Sequence, residues 1–122
     1  MISLIPERVE AFLAEDDGQP VVMLNLLRFK GDGGRETYWH YLGQAGPILA
    51  RVGAEIVFAG DGMAALAEED GQSWDAVVLV SYPTRHAFAA LANDPDYAVV
   101  APLRTAALEE GVLQPTVTRA NS

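Results

Sequence analysis

The sequence predicts an α+β domain in which helices cover one face of a four-stranded antiparallel sheet. Three observations predict it. The apolar periodicities run in the order strand, helix, strand, strand, helix, strand, behind a short opening helix. The first and third strand patterns are apolar on both alternating faces, which suits the two central positions of such a sheet. The chain has 122 residues, half of them hydrophobic, with apolar positions spread along its whole length. That is enough to build one core and too short for two, so intrinsic disorder is excluded. Residues 1–122 read as a single domain with its core at 18–118.

Pro6 to Ala14 forms a short amphipathic helix, with Pro6 in its first turn and Val9, Phe12 and Leu13 on one face. It reads as a lid or a prop. Pro20 to Phe29 is a strand. Val21, Met23, Asn25, Leu27 and Phe29 point one way, and Val22, Leu24, Leu26 and Arg28 the other. After the glycine-rich turn at Gly31 to Gly34, the residues Tyr38, Tyr41, Leu42, Ala45, Leu49 and Val52 recur at helical spacing. Gly43, Gly46 and Pro47 are expected to bend or break this helix, and Gly53 to stop it.

Glu55 to Ala59 is a second strand, interrupted by Gly60-Asp61-Gly62 and expected to resume at Met63 to Ala67. The third strand, Trp74 to Tyr82, sets Trp74, Ala76, Val78, Val80 and Tyr82 against Asp75, Val77, Leu79 and Ser81. Thr84 is placed to cap a helix with Ala87, Phe88 and Leu91 on its core face. Pro95 opens a further helix carrying Tyr97, Val100, Ala101, Arg104 and Leu108, which Gly111 is expected to end. Val112 to Thr118 is a last strand, and Pro115 marks it as an edge.

Two split βαβ units in this order make the ferredoxin-like βαββαβ arrangement, and right-handed crossovers put both main helices on the same side of the sheet. The strands at 20–29 and 74–82 are then adjacent and antiparallel at its centre. The second face of these strands is apolar too, and an apolar patch of that extent marks an interaction surface. The simplest cover is the same face of another copy, giving a two-fold homodimer. Val80→Asp is expected to break such a dimer and to unfold the chain. Alternation alone leaves open which of the two sets of side chains faces the partner.

Several function classes drop out. Cysteine is absent, which removes disulfides, thiol nucleophiles and thiolate metal sites. No run of about 18 apolar residues spans a membrane, and the N-terminus lacks a signal peptide, so a cytoplasmic location is expected. The formal net charge is −9, with eight basic residues scattered singly, and such a surface repels nucleic acid. His40 and His86 fit no metal-ligand spacing, and neither glycine-rich turn has a phosphate-binding pattern. No metal or cofactor is expected. Each histidine reads first as a surface residue.

Asn25 is the most informative polar residue, because an amide inside an apolar central strand needs hydrogen-bond partners. A structural partner and a ligand are both open. Arg28 points to the other face, near the strand end, where its charge reaches solvent or an acidic ligand. Tyr38, Tyr41, Trp74, Tyr82 and Tyr97 offer aromatic bulk with polar tips, for core packing or for lining a cleft. Arg104 follows Tyr97 by seven residues, on the same helical face, and Arg85 follows the Thr84 cap. Either arginine could grip a carboxylate bidentately, and salt bridges within so acidic a chain are the plainer alternative.

The stretch Pro20 to Phe29 with Tyr38, Tyr41 and Gly60 resembles the family known as "domain of unknown function 1330". The later part is more similar still: Trp74-Asp75, Val78 to Val80, Tyr82 to Arg85, Ala87-Phe88, Asp94 to Tyr97, Arg104 and Ala107-Leu108. Thr84 stands where that pattern expects serine, and threonine still caps a helix. The family is itself similar to the dimeric α/β-barrel superfamily, which implies two ferredoxin-like subunits closing into one barrel. That superfamily includes cofactor-independent monooxygenases, isomerases and haem enzymes beside members without known activity, so fold does not fix function. Two readings follow: a cofactor-independent enzyme acting on a small organic, aromatic or anionic molecule, or a non-catalytic dimeric module for a small ligand or protein partner. In the first, Asn25 orients the substrate, a tyrosine or His40 moves a proton and an arginine holds an anionic group. The ligand-binding candidates are Asn25, Tyr38, Arg85 and Arg104.

Overall fold

The computed structural model describes residues 4–119. Helix α1 (Pro6–Ala14) precedes β1 (Val21–Phe29), α2 (Gly34–Arg51), β2 (Glu55–Asp61), β3 (Ala76–Tyr82), α3 (Arg85–Ala92), α4 (Pro95–Ala107) and β4 (Leu108–Thr116). The four strands form one antiparallel sheet in the order β2-β3-β1-β4, so the two most apolar strands are adjacent at its centre and β4 is an edge. Met23 lies opposite Val80 on one side and Pro115 on the other, and Asn25 opposite Val78 and Leu113.

The alternation resolves into one covered and one open face. In β1 the odd-numbered residues Val21 to Phe29 are buried and the even-numbered ones half-buried. In β3 the buried set is Ala76, Val78, Val80 and Tyr82. These two sets share the core with Tyr38, Tyr41, Ala45, Ile48 and Leu49 of α2 and with Phe88 and Leu91 of α3. Val80 therefore belongs to the covered face, at 5% exposure, and is the wrong position at which to probe a partner. The open face carries Val22, Leu24, Leu26, Val77 and Leu79, all half-buried, with Phe58 of β2 opposite Leu79.

Local chemistry accounts for the element ends. Pro6 and Pro95 occupy the first turns of α1 and α4, and the Thr84 hydroxyl accepts from the Ala87 N–H at 3.1 Å to cap α3. Gly53, at φ +79°, ends α2: its N–H reaches the Ala50 carbonyl and the Ala54 N–H reaches that of Leu49. This is the paired closure that a left-handed residue permits.

Three expectations are corrected. Helix α2 runs unbroken through Gly43, Gly46 and Pro47. The bond that proline forfeits would have gone to the Gly43 carbonyl; both residues are on the exposed side, where that carbonyl is open to solvent, while Ala45, Ile48 and Leu49 hold the buried side to the core. Strand β2 continues through Gly60 to Asp61 and does not resume, and Met63 and Leu66 stand fully exposed in the following loop. Helix α4 ends at Ala107, and Gly111 lies inside β4, opposite Leu27. Ladder pairing with β1 outweighs the weak strand preference of Glu109, Glu110 and Gly111.

Candidate functional site

The polar centre of the molecule lies between helices and sheet. Asn25, at mid-strand in β1, is 6% exposed and points to the covered face. Its Nδ2 donates to the carbonyl of Val78, directly opposite, at 3.3 Å. Its Oδ1 accepts from Arg104 Nη2 at 3.2 Å. The buried amide thus finds its partners inside the protein and holds the guanidinium by one hydrogen bond. Arg104 reaches it because the seven-residue spacing from Tyr97 brings both onto the side of α4 that faces the sheet.

Four tyrosines surround this pair. Tyr38 and Tyr41, one turn apart on α2, pack with their rings tilted by 49° and centroids 5.4 Å apart, and the Tyr41 and Tyr97 hydroxyls share a hydrogen bond of 2.7 Å. Tyr82 closes the end of β3. The cavity among these residues has a volume of about 60 Å³, several times what one ordered water requires. Burial pushes the Tyr38 hydroxyl up to about 12, and the Arg104 charge beside it pulls the other way. Burial likewise raises Tyr41 and Tyr82, with Tyr97 adding to the effect on both. At neutral pH Tyr38, Tyr41 and Tyr82 are uncharged, and they act as hydrogen-bond donors and acceptors rather than as bases.

Among the described residues Arg104 and Arg85 differ from Arg28, Arg35 and Arg51 in having no carboxylate partner, and of the two only Arg104 lines the cavity. Arg28 pairs with Glu110 at 2.6 Å, Arg35 with Asp61, and Arg51 with Asp94 and Asp96 at 2.8 and 2.9 Å. Among the described residues no carboxylate lies within ion-pair distance of Arg104, which is half-buried. Among the described residues the cavity lining holds no carboxylate and no imidazole. It offers one cation, one amide and four phenols.

Of the sequence candidates, Asn25, Tyr38 and Arg104 come together here. Arg85 does not. Its guanidinium donates to the Phe12 carbonyl at 3.0 Å and lies over the Phe12 ring, so it ties α1 to α3. Arg28 is spent on the Gly71 and Ser73 carbonyls and on the Trp74 face, pinning the long loop across the other side of the sheet. His40 is exposed, and His86 holds Asp16 at 2.9 Å, next to α1. The Tyr41–Tyr97 pair escaped the sequence reading, which saw aromatic bulk without knowing that α2 and α4 pack side by side. Among the described residues no three potential ligands cluster as a metal site would require.

A family model described as Domain of unknown function (DUF1330) matches residues 33–114, from the start of α2 into β4. No curated protein matches the sequence. The fold is similar to that of the RPA0582 protein of Rhodopseudomonas palustris, a protein of unknown function, at TM-score 0.87 and 29% identity, covering 98% of each chain. The methylated form of RPA0582 is similar at 30% identity and the same TM-score, covering 98% of this chain and 96% of that one. A hydroxynitrile lyase from Passiflora edulis shares the fold at TM-score 0.67 and 12% identity, over 86% of this chain and 98% of that one. So does a dimeric ferredoxin-like protein of unknown function from Jannaschia sp. CCS1, at 0.64 and 12%, over 81% and 99%. The last two likenesses concern the fold alone.

Proposed function

The chain belongs to the Domain of unknown function (DUF1330) family, and we propose that it binds a small organic carboxylate in the Arg104 cavity of each subunit of a homodimer. The observation that carries this reading is the uncompensated charge of Arg104 in a chain of net charge −9. A half-buried guanidinium without a counter-ion has given up part of its hydration for one long hydrogen bond to an amide. A carboxylate completes it, because the planar fork matches two carboxylate oxygens and no carboxylate of the described residues occupies it. Neutral tyrosine hydroxyls beside the fork are the donors an anion prefers.

The same inventory favours binding over acid–base catalysis. Among the described residues no carboxylate and no imidazole lines the cavity, so a reaction there would draw its base from the substrate or from water. The hydroxynitrile lyase with this fold supports a small-molecule site on the scaffold by analogy only. For the dimer, the support is the apolar open face of the sheet and the dimeric Jannaschia protein of the same fold.

The test is a titration followed by NMR of the arginine side chains. Acetate should perturb the Arg104 Nε–H while isosteric, neutral acetamide does not, and Arg104→Gln should weaken acetate binding at least about tenfold, the loss of one charge-assisted pair. Equal responses to acetate and acetamide, or unchanged acetate binding in Arg104→Gln, would overturn the reading.

A further inference from the structure

Beside the polar cavity lies a second space of about 540 Å³, between α1 and the β4 edge. Its lining is mostly apolar, with Leu4, Ile5, Val9 and Phe12 on the helix side and Val112 and Pro115 on the strand side. The volume is that of an ordinary small-molecule pocket. Helix α1 has no buried residue and hangs on a few contacts: the Phe12–Phe88 edge-to-face pair, the Arg85 bond to the Phe12 carbonyl, and His86 with Asp16. A helix so tethered covers a space rather than filling it.

The two spaces share a wall. Met23, Phe88 and Leu113 line both of them. Met23 and Asn25 are alternate residues of β1 on the same face, about 7 Å apart along the strand, and Leu113 and Pro115 repeat that step on β4. The sheet thus leads from an apolar trough to a lone guanidinium in one strand repeat. Met23 is the movable part of the wall, since an unbranched thioether repacks at little cost.

We infer that the ligand is an amphipathic monocarboxylate, its head at Arg104 and its straight apolar chain passing Met23 into the cleft beneath α1. This rests on the carboxylate reading and adds the class of the remainder of the molecule. Charge complementarity sets the head, and the adjacency of the two spaces across the Met23 wall sets the tail.

The experiment compares acetate, octanoate, 1-octanol and octylamine on the full chain by calorimetry and NMR. Octanoate should bind at least about a hundredfold more tightly than acetate, the gain expected from burying most of six methylenes, with octanol and octylamine far weaker. Val9→Trp, which fills the cleft, should bring octanoate down to the acetate level and leave acetate binding and the molecular mass in solution unchanged. Ile5→Asp, at a position already 44% exposed, should do the same if Val9→Trp fails to fold. Acetate and octanoate binding alike would overturn the tail site while leaving the carboxylate reading intact. Failure of both acids to bind would overturn the two together. Octanol binding as tightly as octanoate, or a lower mass for Val9→Trp, would also overturn the inference, the latter because the cleft would then be a contact between copies.

Discussion

Asn25 shows how much one residue reveals and how little its neighbours in sequence do. An amide among Val21 to Phe29 is conspicuous, and its need for partners follows from burial alone. Which partners it has depends on α4, seventy-nine residues downstream, delivering Arg104. Arg85 was unreadable for the opposite reason: following a helix cap does not say which way a side chain turns, and this one turns to Phe12. Two substitutions separate the roles. Asn25→Ala should destabilise the chain by about 1–3 kcal/mol in urea denaturation, because Arg104 loses its buried acceptor. Asn25→Asp should retain the fold and abolish acetate binding, since a carboxylate in that place neutralises Arg104 from within. Acetate binding that survives Asn25→Asp would show that Arg104 is not the anion's partner.

Helix α2 marks the limit of local rules at the scale of elements. Gly43, Gly46 and Pro47 each disfavour a helix, yet α2 spans eighteen residues without a break. The buried row Tyr38, Tyr41, Ala45, Ile48 and Leu49 sets its course, and packing of that row outweighs propensity. The glycines along it are not equivalent. A Cβ at Gly43 would meet nothing within 4 Å, whereas one at Gly34 would stand 2.6 Å from the Ala107 carbonyl oxygen. Gly43→Ala should therefore raise stability by about 0.5–1 kcal/mol, and Gly34→Ala should lower it by about 1–3 kcal/mol, both read from denaturation midpoints at constant slope. If the two changes had similar effects, the close approach of α2 to the end of α4 would not exist in solution. The ends of β2 and β4 were legible only within a few residues, because Gly60 and Gly111 lie inside ladders whose partner strands hold them.

The whole molecule is governed by its two-faced sheet. Double-sided apolarity in β1 and β3 was visible from the start and required a cover for each face; the helices supply one. Among the described residues no helix is long and apolar enough to cross a membrane. In the proposed homodimer a second sheet supplies the other cover, and a standard interface buries about 1,600 Å² in total. Light scattering at micromolar concentration should report a dimer. Leu79→Asp, on the open face, should yield a folded monomer, because a charge there meets the partner sheet when assembled and water when not. Val80→Asp should instead unfold the chain, since Val80 sits in the core. A monomeric wild type would contradict the assembly, and a dimeric Leu79→Asp would move it to another surface.

Periodicity and punctuation in the sequence by themselves determined the class of fold, the central pair of strands, the helix ends marked by Pro6, Thr84, Pro95 and Gly53, and the presence of one polar residue that had to be satisfied. These are local or compositional properties, written in spacings of two to seven residues. Tertiary structure decided which face of the sheet the helices cover, that Arg104 and not Arg85 meets Asn25, and that Tyr41 and Tyr97 share a hydrogen bond. Each of those depends on how separate helices dock on one sheet, and side-chain packing across long stretches of chain leaves no local period to read.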